Sequence, residues 1–109
     1  MNIGVDIGGT NIRAGIESGG HITRQNQTLL ANKHSLSATL DQLMDVIRPL
    51  TAYPVKGIGI GVPSVVDVNK GIVYNVLNIP SWEEVALRDI VEKEFNLPVS
   101  VNNDVNCFV

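Results

Sequence analysis

A chain of 109 residues has room for one hydrophobic core and is small for a two-domain catalyst. With 44% apolar and 17% charged residues it has the composition of a folded protein, not of a disordered one. Eight Lys and Arg against eleven Asp and Glu give a net charge of −3. The basic residues are scattered from Arg13 to Lys93, so no patch can track a phosphodiester backbone and nucleic acid is not an expected partner.

Residues 2–6 (NIGVD) form a short apolar strand with Ile3 and Val5 on one face. Asp6 interrupts that apolar run, and no run nears the roughly 18 apolar residues needed to cross a bilayer. Neither a signal peptide nor a membrane is therefore expected, and the expected location is the cytoplasm. Gly8-Gly9-Thr10 makes a turn, and residues 11–17 (NIRAGIE) resume with Ile12, Ala14 and Ile16 alternating, so the two strands read as a β-hairpin. After Gly19-Gly20, His21–Leu29 is a third, more polar strand expected near a sheet edge.

From residue 36 to 50 the period changes. Leu36, Leu40, Leu43, Met44, Ile47 and Leu50 fall at helical spacing, with Pro49 and Pro54 bracketing the end. Residues 55–62 (VKGIGIGV) return to a strand, with Ile58, Ile60 and Val62 facing one way. Gly57, Gly59 and Gly61 face the other, where the missing side chains let another element approach closely. A loop over 63–70 and a short strand over 72–74 follow. Ser81 and Glu84 have capping-box spacing, which predicts a helix start there. Leu87, Ile90, Val91 and Phe95 supply its buried stripe, and Asn96 and Pro98 stop it. Residues 99–101 make a last strand that runs into Asn102-Asn103-Asp104. This order predicts a mixed sheet flanked by helices, with functional groups at strand ends and loops. Trp82 reads as a packed aromatic at a helix entry, His21 and His34 as surface histidines, and Asp67 and Lys70 as solvent-facing turn residues. The single Cys107 has no disulfide partner and reads as a small buried group in a reducing compartment.

Two places carry chemistry. In Asp6-Ile7-Gly8-Gly9-Thr10, adjacent glycines can wrap backbone N–H groups around an anionic oxygen, Thr10 adds a hydroxyl, and Asp6 could hold Mg²⁺ through water. The competing reading is an ordinary hairpin turn in which the glycines only supply positive φ. No Lys-Ser/Thr follows, so this is not a Walker A loop, and the alternate glycines of GIGIGVP do not match GxGxxG. The second place is 101–106 (VNNDVN), which puts a carboxylate just past a strand. There Asp104 could take the proton of a sugar hydroxyl attacking a γ-phosphate, and Asn103 could pair with sugar hydroxyls. An Asx-rich turn capping a following helix is the alternative.

Three stretches together resemble the ROK family of sugar kinases and related regulators, within the actin/hexokinase/Hsp70 ATPase superfamily. Residues 5–15 (VDIGGTNIRAG) are similar to its phosphate loop. Residues 57–82 (GIGIGVPSVVDVNKGIVYNVLNIPSW) are similar to its glycine-rich strand, sugar-side loop and NLPGW-like turn. Residues 97–107 (LPVSVNNDVNC) are similar to its PVxVENDVN catalytic segment. The DxGGT motif alone is shared more widely in the superfamily; the three in this order are specific. The resemblance implies a ribonuclease H-like α/β domain, a five-stranded mixed sheet flanked by helices whose first three strands form an antiparallel meander. It implies Asp104 as catalytic base and Gly8, Gly9 and Thr10 as the cradle for ATP phosphates, with Asp6 near Mg²⁺. Ser64, Asn103 and Asp104 would lie on the sugar side, and Asn78, at the head of the NLPGW-like turn, would help shape that pocket.

The implied activity is ATP-dependent phosphorylation of a hexose or N-acylhexosamine, with ATP and Mg²⁺ as cofactors, a sugar and ATP as partners and a homodimer admitted. Ser64 stands where the family has a glycine whose backbone approaches the sugar, so it would narrow that pocket or change which sugar fits. Asn102 replaces a commoner Glu in a loop-supporting position. The chain stops at Val109, inside the helix expected after Asp104. Residues 1–109 are accordingly expected to be the N-terminal domain, inactive alone, without the second domain's adenosine contacts, further sugar ligands and zinc site. Two rival readings remain: a sugar-responsive transcriptional regulator, whose helix-turn-helix would precede residue 1 where Met1 abuts the first strand, and a non-catalytic sugar-binding remnant.

Overall fold

The alternation of Ile3, Val5 and Ile7 with Asn2, Gly4 and Asp6 is the pattern of a strand buried on one face. That strand, β1 (Asn2–Ile7), lies at the middle of a five-stranded sheet. The computed structural model describes residues 1–76 and 78–103. The sheet is completed by β2 (Asn11–Ser18), β3 (His21–Leu29), β4 (Ile58–Val62) and, after a separate three-stranded sheet, β8 (Val99–Asn103). Its order is β3-β2-β1-β4-β8. The first three strands are an antiparallel meander, and β4 and β8 join parallel to β1. The polar strand β3 does take the edge.

Two crossovers make the parallel part. The first contains α1 (Leu36–Ile47), capped by Ser35, whose Oγ accepts from the Ala38 N–H at 3.2 Å. Such a cap is worth about 1 kcal/mol. The α-helix is shorter than the predicted 36–50: it tightens into a 3₁₀ turn over Arg48–Ala52, where Pro49 lacks the N–H that an α-helix would use. The second crossover holds the small antiparallel sheet of β5 (Val65–Asp67), β6 (Ile72–Tyr74) and β7 (Glu84–Val85), and then α2 (Leu87–Phe95). Here the sequence expectation needs two corrections. The 63–70 loop contains β5, and no helix begins at Ser81. Glu84 and Val85 pair with Tyr74 and Val73 instead, and α2 starts at Leu87 without a side-chain cap. The Ser81 hydroxyl is spent on the Lys33 carbonyl at 2.7 Å, so it cannot cap. Asn96 ends α2 in the left-handed conformation, its N–H returning to the Glu92 carbonyl.

Both crossovers step the same way across the sheet, and right-handed connections then put α1 and α2 on one face. Ile3, Val5, Ile7, Ile12, Ile60 and Val101 from the sheet join Leu43, Ile47, Leu87 and Val91 from the helices in one buried core. Each such side chain contributes about 1.5–3 kcal/mol by burial. Arg48 links the helix ends, bonding Asp45 at 2.6 Å and Glu94 at 3.3 Å, and these hydrogen bonds raise its already high pKa. The opposite face carries Gly4, Asp6, Arg13, Gly15, Gly59 and Ser100 and no helix among the described residues. Two open clefts of about 740 and 710 Å³ lie over it. Among the described residues no helix is long and apolar enough to cross a membrane.

Candidate functional site

Parallel pairing fixes the site. Asp6 is in register with Gly61, and Gly61 with Asn102, so the carboxyl ends of β1, β4 and β8 share one rim of the sheet. Two inter-strand spacings put the Asp6 and Asn102 backbones about 10 Å apart. From that rim depart the 8–10 turn and the Pro63-Ser64 segment, and β8 ends there at Asn103. Asp104 itself lies outside the described residues. An open α/β sheet presents its ligands at this kind of edge.

The 8–10 turn is pinned on both sides. The Gly8 N–H donates to the Asn11 carbonyl at 2.8 Å, and the Thr10 carbonyl accepts from the Leu30 N–H at 2.8 Å. The N–H groups of Gly9 and Thr10 have no acceptor among the described residues, and Thr10 is exposed with its hydroxyl. Of the three expected cradle residues, Gly8 therefore closes the turn while Gly9 and Thr10 carry the unspent donors. Neither glycine has positive φ. The competing reading, in which the pair only supplies left-handed backbone, does not hold. The glycines instead sit in tight space: a Cβ on Gly9 would lie 2.6 Å from Asn78 Nδ2, so the Asn78 side chain would have to shift, and one on Gly8 3.3 Å from the Asn11 carbonyl oxygen.

Asp6, a quarter exposed, accepts from Arg13 Nη2 at 3.0 Å through Oδ2, across the β1–β2 pairing in which the two residues face each other. Ser64 is half-buried just after β4, its hydroxyl reaching the Val65 carbonyl at 3.4 Å. Asn103 closes β8 beside Val62, and its N–H donates to Asn102 Oδ1 at 2.8 Å. Asn78 heads a turn held by the wholly buried Trp82, whose Nε1–H donates to the buried Thr39 hydroxyl at 2.6 Å.

A model of the ROK family matches residues 2–109. The chain belongs to the ROK family. It is 32% identical over 112 residues to a glucokinase of Halalkalibacterium halodurans, covering 95% of this chain and 33% of that protein. It is 30% identical to the xylose repressor of Bacillus spizizenii, covering 96% of this chain and 28% of the repressor. Among solved structures, a ROK family glucokinase from Streptomyces griseus in complex with glucose and AMPPNP superposes with a TM-score of 0.85 at 33% identity, covering 96% of this chain and 33% of that one. The chain thus spans about a third of the length of the relatives it matches.

In this ROK domain the donor set at Asp6 can be tested against Mg²⁺. One carboxylate oxygen is engaged by Arg13, the other has no bonded partner among the described residues, and no group of three His, Cys, Asp or Glu could enclose a metal there. A single carboxylate of this kind fits Mg²⁺, which keeps its waters and takes its other ligands from phosphates. Arg13, the partner of a candidate site residue, was passed over by sequence reasoning. Its signal was present: a tight turn between residues 6 and 13 sets them opposite each other on one face.

Proposed function

We propose that this domain is the phosphate-binding and base-bearing part of an ATP-dependent sugar kinase acting on a hexose or N-acylhexosamine. The observation that carries the reading is the shared rim. Two unspent backbone donors, at Gly9 and Thr10, stand at the end of β1, and the strand leading to Asp104 ends two strands away. A sugar hydroxyl between them would have a base on one side and phosphoryl oxygens on the other. In the reaction, Asp104 takes the hydroxyl proton while that oxygen attacks the γ-phosphorus and the bond to the ADP oxygen breaks. Gly9 N–H, Thr10 N–H and the Thr10 hydroxyl hydrogen-bond the phosphoryl oxygens, where charge shifts in the transition state. Asp6 would hold Mg²⁺ through water, and bound Mg²⁺ supplies charge neutralisation to the nucleotide phosphates. Asn103 and Ser64 orient the sugar, Ser64 adding bulk where the family's glycine leaves space. ATP as phosphoryl donor implies the cytoplasm.

The test is a coupled ADP-release assay on the protein at its natural length, with glucose, mannose and N-acylated hexosamines as acceptors. Asp104→Asn should lower kcat by about 10²–10⁴-fold with an unchanged melting temperature. A second reading rests on the xylose repressor likeness: a sugar sensor of the same fold. It is favoured over the kinase if the wild type binds sugar tightly and releases no ADP with any acceptor.

A further inference from the structure

The sugar-side segment meets the phosphate turn at Asn78 and Gly9. A Cβ on Gly9 would be 2.6 Å from Asn78 Nδ2 and 3.4 Å from its Cγ, so the Asn78 carboxamide is seated directly on the Gly9 backbone. That carboxamide has no hydrogen-bond partner among the described residues. The backbone presenting it is held firmly. Asn78 sits at φ 66°, a left-handed conformation that asparagine tolerates. The Ile79 N–H bonds the Val76 carbonyl at 3.2 Å, the Trp82 N–H bonds the Ile79 carbonyl at 2.9 Å, and Ser81 is fastened to Lys33. Trp82, sealed in the core on Thr39, anchors the whole turn.

The chemistry around the carboxamide decides its ligand. Its contact with Gly9 puts it beside the 8–10 turn, whose Gly9 N–H, Thr10 N–H and Thr10 hydroxyl have no partner among the described residues and can all donate. Sugar hydroxyls, which donate as well as accept, call for a mixture of donors and acceptors, whereas a convergence of donors suits phosphoryl oxygens, which only accept. We propose that Asn78 serves the phosphate side of the site, its Nδ2 hydrogens joining the Gly9 and Thr10 donors on the transferred phosphoryl group, and is not a ligand of the sugar. This rests on the kinase reading above and refines it.

Calorimetric titration of the natural-length protein with MgATP, and separately with glucose and N-acetylglucosamine, tests the assignment. Asn78→Asp and Asn78→Gly both keep a residue that accepts left-handed backbone. Asn78→Asp exchanges the donor for an anionic oxygen and should weaken MgATP binding about tenfold or more, with sugar affinity within about twofold of wild type. Asn78→Gly should weaken MgATP several-fold. Gly9→Ala should weaken it too, because the added Cβ meets the Asn78 carboxamide; loss of MgATP affinity in Asn78→Asp at kept sugar affinity is the readout that a merely structural residue would not give. Sugar affinity lost with MgATP affinity kept, or MgATP affinity unchanged in both Asn78 variants, overturns the assignment. Should one Asn78 variant melt below the assay temperature, the other decides alone, and unchanged MgATP affinity there overturns the assignment. A wild type that binds sugar without MgATP sinks the kinase reading itself, before any variant is compared.

Discussion

Gly9 is crowded by a neighbour's side chain and is not held in a left-handed conformation. That the DIGGT stretch turns between two strands was legible, but the neighbour of its second glycine was not, since the approach of Asn78 joins residues 69 positions apart in the chain. Asp6 was legible as a carboxylate at a strand end, yet its partner Arg13 appears only once the hairpin register is known. That pair gives a residue-scale prediction. It is solvent-exposed on the arginine side, so its contribution to stability is about 0.2–1 kcal/mol. Asp6→Asn should therefore shift the melting temperature by only a few degrees, by about 4–8 °C per kcal/mol in a domain of this size. If Asp6 also steadies Mg²⁺, the same substitution should raise the Mg²⁺ concentration needed for half-maximal turnover by an order of magnitude. Thermal melts beside a Mg²⁺ titration of activity separate the two effects.

At the scale of elements, local pattern succeeded where local forces decide. The alternating apolar residues of β1 and β2 and the helical stripe of α1 found their places because one face of each must be buried. Ser81 and Glu84 show where it failed. Their spacing is that of a helix cap, but the Ser81 hydroxyl bonds a carbonyl 48 residues away and Glu84 pairs into β7. A tertiary hydrogen bond outbid the cap, and no window along the chain contains that bond. Gly71 marks the joint between the small sheet and α2. It has φ 68°, its carbonyl accepts from the Arg88 N–H at 3.1 Å, and a Cβ there would run into Arg88 Cβ. Gly19, at φ 59°, faces open space. Gly71→Ala should consequently destabilise the domain by about 2 kcal/mol or more, against about 1 kcal/mol for Gly19→Ala, which meets only the left-handed backbone penalty. Urea denaturation of the two variants measures the difference, and equal midpoints would contradict the packing described at Arg88.

For the molecule as a whole, the mixed sheet was legible from element order because right-handed crossovers leave few arrangements of strand, helix, strand, helix, strand. The roles expected of the strand-end groups came only from the family resemblance, since a carboxylate after a strand also suits a plain turn. The chain covers about a third of its relatives. On the proposed kinase reading, a polypeptide of these 109 residues prepared alone should show no ADP release above background with any hexose, because phosphoryl transfer needs water excluded from the site. Turnover at an ordinary kinase rate of about 1–100 per second would contradict this. The sequence contains one tryptophan, Trp82, wholly enclosed and hydrogen-bonded to Thr39, four residues along the same turn from the amide that rests on Gly9. These 109 residues thus carry their own fluorophore: Trp82 emission should be blue-shifted and, on the proposed kinase reading, should change in intensity when MgATP is added.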